Sequence, residues 1–270
     1  MAEIWILGMG YVGTPLAKQL AKMGHQVTGF RRRPMPPIPD IHLVTQDLNA
    51  LGSYIQALPL PPEWVYFLAA PGRQPEGYQQ LYHQTLLNVL RTLSTFSPHL
   101  KRFFLVTSTR PFQDLGDIWQ NEDSPTHAPD TPSQCLLDAE ETIQTCPLPA
   151  TAIRFSGIYG PERNPMARAL TTPAPVSNPW AWTNRIHQQD CVGFLSHLLS
   201  LDAPAPLYIG TDSAPIQRLP LLRALADHQG YPEPLAGEGE NKGKRLSNQR
   251  LLQSGYVLKY PTWREGYGLT

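Results

Sequence analysis

Apolar residues run almost without interruption through EIWILG, QVTGF, IHLVTQDL, WVYFLAA and RFFLVTS. Short continuous runs of this kind predict strands covered on both faces, as in a parallel sheet. Between the first two runs lies TPLAKQLAKMG, where Leu16, Leu20 and Met23 recur at helical spacing, Pro15 sits in the first turn and Gly24 marks the stop. Between the fourth and fifth, YQQLYHQTLLNVLRTLSTF places Leu81, Leu86, Val89, Leu90 and Leu93 on one side of a long predicted helix. ATAIRFSGIYG and APLYIG read as a sixth and a seventh strand.

Strands alternating with helices predict an α/β fold, a doubly wound parallel sheet of the Rossmann type with right-handed crossovers. The alternation breaks over 161–183 and 211–270, which are expected to build a smaller C-terminal substrate lobe. The predicted division is a dinucleotide-binding domain over 1–158 and an interleaved lobe over 159–270, with the strand near 207–210 returning to the first domain. Twenty-nine prolines cluster at 34–39, 59–62, 125–132, 147–149, 173–179 and 204–206. They mark connections, because proline removes a ladder donor and is excluded from central strands.

Twenty-two basic and twenty-two acidic residues cancel, so no net field draws the chain to nucleic acid or to an anionic membrane. A small molecule is the expected partner. Cys135, Cys146 and Cys191 are odd in number and show no CxxC grouping, which predicts neither a disulfide framework nor a metal site and fits a reducing compartment. No apolar run reaches the ~18 residues of a membrane span, and MAEIWILGMG carries no basic leader. A cytoplasmic location is expected.

Candidate chemistry begins at Gly8, Gly10 and Gly13, a GxGxxG on the predicted strand-to-helix turn with Tyr11 and Val12 inside it. Gly8 allows the tight turn, Gly10 lets backbone approach a pyrophosphate and Gly13 lets helix pack on strand. The helix N-terminus offers N–H groups and partial positive charge to phosphate. Where an NAD site usually carries an acidic residue, the second strand ends in Arg31, Arg32 and Arg33. Guanidinium groups there would grip a 2′-phosphate, so NADP is the expected cofactor, with NAD as the alternative. Asp47 with Leu48, Ala69 with Ala70, Thr107 and Phe155 end successive strands and extend the expected cofactor edge.

GMGYVG, QDL, FLAAPG, FLVTSTRPFQD, IRFSGIYGPER, NRIHQQD and GKRLSNQRLLQSGYVLKYPTWREGY follow one another from Gly8 to Tyr267. In this order they resemble the extended short-chain dehydrogenase/reductases, specifically the NAD-dependent epimerase/dehydratase group and its atypical members. The resemblance implies an NAD(P) domain with a substrate lobe and often a cytoplasmic homodimer. It also implies that Ser108, with Thr109 beside it, binds the reacting oxygen.

The resemblance further implies a Tyr with a Lys four residues later on the next helix. Aligned on Glu140 or Glu141, TPSQCLLDAEETI instead has Pro132 or Ser133 in the Tyr place and Leu136 or Leu137 in the Lys place. A leucine neither lowers a phenol's pKa nor holds a ribose. Phe112 and Gly157 likewise stand where a Tyr and an Asn are common in the group. Arg110 is a candidate holder of an anionic substrate. His187, in NRIHQQD, is a candidate acid or base or else a structural residue, and Tyr78 and Tyr82 are a second source of phenol. Two functions remain open: a noncanonical NADP-dependent oxidoreductase or epimerase acting on a small polar substrate, and an NADP-responsive sensor without catalysis.

Overall fold

The computed structural model describes residues 1–54, 61–72, 74–96, 98–171, 174–240 and 242–269. Prolines 59 and 173 of the expected connections lie outside the described residues. The main sheet is built from β1 (Glu3–Leu7), β2 (Gln26–Arg31), β3 (Ile41–Thr45), β4 (Trp64–Phe67) and β5 (Arg102–Ser108), each paired in parallel with its neighbour. After the short β6 (Trp119–Gln120), β7 (Ala150–Phe155) continues it, and after β8 (Gly157–Tyr159), β9 (Trp182–Thr183) and β10 (Arg185–His187), β11 (Leu207–Gly210) closes it. The order is β11-β7-β5-β4-β1-β2-β3. This is the expected doubly wound α/β fold. Its direction of winding reverses between β1 and β4, where sheets of this kind open a ligand crevice at their carboxyl edge.

The chain divides into two compact units: Met1–Pro111, Ala128–Ile153 and Val192–Leu207, and Phe112–His127, Arg154–Cys191 and Tyr208–Thr270. The second unit therefore begins well before residue 159, claiming the loop that follows β5. The strand near 207–210 is the edge strand of the main sheet.

In the first unit, α1 (Gly13–Lys22) buries Leu16, Ala17 and Leu20. Met23 falls at its C-cap and is exposed, while Gly24 takes the stop with φ +87°. After the single turn α2 (Leu51–Tyr54), the long helix expected between β4 and β5 is segmented. It consists of α3 (Pro75–Gln79), a π-helical turn over Gln80–Thr85 and α4 (Leu86–Ser94). Leu86, Val89, Leu90 and Leu93 of α4 pack with Trp5, Leu7, Phe67 and Phe103 of the strands, and with Leu136, Ala139 and Ile143 of α5 (Thr131–Thr145). Asp130 caps α5 by accepting from the Ser133 amide at 2.9 Å, and Pro132 fits the first turn, which has no use for its missing donor.

The second unit carries α6 (Pro165–Leu170), the start of α7 (Gln188–His197), β12 (Ile216–Gln217), α8 (Arg218–Gln229), β13 (Arg245–Leu246), α9 (Gln249–Gln253) and α10 (Trp263–Tyr267). Its strands pair only two at a time: β8 with β10, β9 with β12, and β6 with β13. Strands this short bury no long apolar run, and their side chains are largely polar or aromatic, so they leave no periodic signal. Leu221 and Leu225 of α8 pack on Trp263.

Candidate functional site

In the first unit the candidate cofactor residues reach one edge because the strands carrying them end together. Gly8 follows β1, Arg31 ends β2, Asp47 follows β3, Ala69 and Ala70 follow β4, and Thr107 and Ser108 end β5. The three glycines do different work. Gly8 has φ +123°, and a Cβ on it would meet the Ala69 amide nitrogen at 2.5 Å. A Cβ on Gly13 would collide with the Gly8 carbonyl oxygen. A Cβ on Gly10, by contrast, would enter open space, with no atom within 4 Å. Gly8 and Gly13 are thus required by packing, while Gly10 is exposed and faces open space beside the start of α1. No side chain caps α1 and no acidic residue lies in its first turn, which suits a phosphate.

Tyr11 and Val12 are half-buried in this turn, and Leu48 is buried in the core. Arg31 is half-buried while Arg32 and Arg33 are exposed. Asp47 is exposed and accepts from the Asn49 amide at 2.9 Å and from the Asn49 side chain at 3.0 Å, which caps the turn after β3. The Ala69 and Ala70 side chains are small and leave this edge open, with Ala70 exposed.

At the end of β5 the hydroxyls diverge. Thr107 turns under the edge and donates to Glu140 Oε1 of α5 at 2.7 Å, both residues being buried. Ser108 and Thr109 are half-buried at the edge, and Ser108 Oγ accepts from the Arg110 amide at 3.4 Å. The Arg110 guanidinium is held by Asp130 through two bonds, 3.3 and 2.7 Å long. Arg110 draws the Asp130 carboxyl far below the usual carboxylate range, with the Ser133 amide adding to the effect. Its charge is therefore already largely matched, which weakens the case for Arg110 as a holder of an anionic substrate. Glu140 and Asp130 carry no signal as site residues in the sequence, although aspartate ahead of TPSQ is legible as a helix cap.

The helix α5 contains neither Tyr nor Lys. Pro132, Leu136 and Glu140 lie four residues apart on its buried side. Ser133 is also buried. Tyr82 is buried in the core, and burial, with Tyr78 and Glu140 nearby, pushes its phenol above the ordinary range. Tyr78 is half-buried, its ring 5.9 Å from that of Tyr82.

In the second unit, Phe155 is buried where β11 approaches most closely, since a Cβ on Gly210 would collide with its ring. His187 is 5% exposed, with its ring 4.0 Å from Tyr260 and 5.3 Å from Tyr159. Burial lowers its pKa, and Nδ1 accepts from the Gln189 amide at 3.2 Å. Asp190 is fully buried and accepts from the Lys259 amide, the Tyr260 amide and the Tyr256 hydroxyl at 2.6, 3.0 and 3.0 Å. Asp190 of NRIHQQD thus ties down the C-terminal segment, and the His187 ring lies beside Tyr260 of that segment. Phe112 is buried beneath the Arg154 guanidinium, 4.8 Å from its ring, and Gly157 is exposed with no side chain to offer a ligand. Among the described residues no group of three or more His, Cys, Asp or Glu is placed to hold a metal ion, and no helix is long and apolar enough to cross a membrane.

Comparison with known proteins bears on the family and the fold. Residues 4–175 match the model of the NAD dependent epimerase/dehydratase family. A structure described as an NAD-dependent epimerase/dehydratase from Methylobacillus flagellatus is 36% identical with a TM-score of 0.86, over 99% of this chain and 97% of that one. Protein YeeZ of Escherichia coli K12 is 23% identical over 97% of each chain. The human epimerase family protein SDR39U1, solved with NADPH, shares the fold at 19% identity and a TM-score of 0.77, over 98% of this chain and 97% of that one.

One prediction concerns pH. Burial pushes the Asp212 carboxyl up to about 7; its Oδ1 accepts from the Ala214 amide while Oδ2 has no partner. In the unfolded chain an aspartate titrates near 3.9, so between those values the folded state holds more protons and stability falls as pH rises. The favourable contribution is complete below about pH 4 and lost as pH passes about 7. Asp212→Asn should remove a slope of about 1 kcal/mol per pH unit in that window. Urea denaturation at stepped pH would measure it, and parallel profiles for the two proteins would contradict the assignment.

Proposed function

The chain belongs to the NAD dependent epimerase/dehydratase family, and from that premise we propose that it is an NADP-dependent oxidoreductase or epimerase acting on a small polar substrate. A nicotinamide dinucleotide is the coarser part of this reading, supported by the family and by the NADPH found in the human relative. The observation that carries it is the division of labour among the three glycines. Two are closed by packing, and Gly10 opens onto space beside an uncapped helix start. The bound dinucleotide would supply hydride chemistry. Of the chain's own residues, Gly10 and the first turn of α1 would hold the pyrophosphate, Arg31 and Arg32 the 2′-phosphate, and Ser108 Oγ the substrate oxygen. Gly157 offers no side-chain contact to a nucleotide sugar, which favours a smaller substrate.

The preference for NADP rests on the run of three arginines that begins at the last residue of β2, none of which has an ion-pair partner among the described residues. Guanidinium groups not matched by a carboxylate keep their charge and donors for a phosphate. NADP should therefore raise the melting temperature more than NAD at equal concentration, since ligand bound only to the folded state stabilises it by mass action. Arg31→Asp should reverse that order. A larger shift from NAD in the unsubstituted protein would overturn the preference.

The absence of Tyr and Lys from α5 favours a second reading, a cofactor-responsive binding protein without catalysis. Ser108→Ala separates the two. In an enzyme it should slow carbonyl turnover by at least about tenfold, the loss of one oxyanion-type donor being worth ~10² or more, with NADP affinity unchanged. In a sensor the substitution alters neither affinity nor any turnover.

A further inference from the structure

We propose that the second unit holds a ligand site of its own, built on α6 and α8, that takes an organic monocarboxylate with an apolar body. The site lies wholly within that unit and is independent of the dinucleotide reading. Its first support is a cavity of about 540 Å³, within the ~300–1,000 Å³ typical of small-molecule sites. Leu170 of α6, Leu222 of α8, and Val176 and Leu235 of the connecting segments line it, with alanine and proline side chains among them. Leu222 is buried and Val176 half-buried, whereas Leu235 is 68% exposed. Covering that leucine with a ligand's apolar body would remove apolar area from water.

The walls of the cavity are fixed by backbone. The Val176 amide donates to the Leu235 carbonyl at 2.9 Å and the Gly237 amide to the Val176 carbonyl at 3.0 Å, while α6 packs against α8.

The second support is charge. Arg218, the first residue of α8, gives its amide to the Ala181 carbonyl at 3.0 Å. Its Nη1 donates to the carbonyl of Ser177, another residue of the lining, at 2.9 Å, which holds the guanidinium beside the cavity. The other guanidinium N–H groups have no hydrogen-bond or ion-pair partner among the described residues. The other charged residue of the lining, Glu233, is paired with Arg223 at 2.8 Å. The lining therefore presents one unmatched positive charge in a largely apolar surround.

One guanidinium matches one negative charge, and its planar fork suits a carboxylate. A phosphate group brings close to two charges, and the second would lose its water with nothing to replace it. A neutral ligand of the same shape would cover the guanidinium and leave its donors unmet. Charge and lining together select a carboxylate on a hydrocarbon body.

The test titrates the whole chain, without dinucleotide, with octanoate, octanol and inorganic phosphate by isothermal titration calorimetry. Octanoate should bind at one site and octanol at least about tenfold more weakly, as expected for loss of a hydrogen bond to a charged group. Phosphate should bind more weakly than octanoate. Arg218→Gln should weaken octanoate at least about tenfold and leave octanol unchanged. Leu235→Asp, a change at an exposed position that sets a carboxylate in the lining, should weaken octanoate likewise. No binding of octanoate, equal or tighter binding of octanol or phosphate, or an octanoate affinity unchanged in either variant overturns the proposal. Failure of NADP and NAD to stabilise the protein would overturn the dinucleotide reading alone, because no step of these titrations uses a dinucleotide.

Discussion

The architecture of the first unit depends on a contact that tolerates no side chain. Where β1 turns into α1, the Gly8 carbonyl fills the space a Cβ of Gly13 would need, and the backbone after β4 fills the space a Cβ of Gly8 would need. Three elements thereby meet at backbone distance: the central strand, its crossover helix and the strand on the far side of the winding reversal. Side chains at those positions would have to part them, and protein interiors accommodate such wedges poorly. Because the elements meet so closely, the first turn of α1 and the ends of β2 and β4 share one edge, and an exposed glycine at position 10 becomes a place where a ligand can touch backbone.

The other end of that edge is governed by α5. Here it acts as a strut: Asp130 joins the helix start to Arg110, and Glu140 joins its middle to Thr107. Both ties are hydrogen bonds to a carboxylate, stronger than neutral ones, and that to Glu140 is shielded from water. Together they fix the direction in which β5 presents Ser108. A helix that elsewhere in the family is expected to supply reactive groups holds this strand end in place instead, and any acid–base chemistry must come from another segment.

Much of this was legible in the sequence because long-range burial leaves a periodic trace. The five apolar runs became β1 to β5 since strands covered on both faces must be apolar throughout, and the glycine spacing marked the turn that only glycine fits. The ends of IHLVTQDL and WVYFLAA were overread: Asp47, Ala69 and Ala70 lie in the loops beyond β3 and β4. The π-helical turn over Gln80–Thr85 was invisible, because a one-residue widening hardly disturbs the apolar pattern around it. Met23 fits the helical spacing yet is exposed, since the helix ends there and its last turn looks outward. The engagement of Thr107 by Glu140 and of Arg110 by Asp130 joins residues 20 and more positions apart, and no local pattern encodes such pairs. In the second unit the two-residue strands and the anchoring of the C-terminal segment by Asp190 were hidden for the same reason.

The central claim is that Gly10 is glycine for the sake of a ligand, whereas Gly8 and Gly13 are glycine for the sake of the fold. Gly10→Val tests it most directly. The account predicts a protein that melts within a few degrees of the unsubstituted one, since the new side chain enters open space, but that is no longer stabilised by NADP or NAD. A variant that still gains full thermal stability from either dinucleotide would contradict the account.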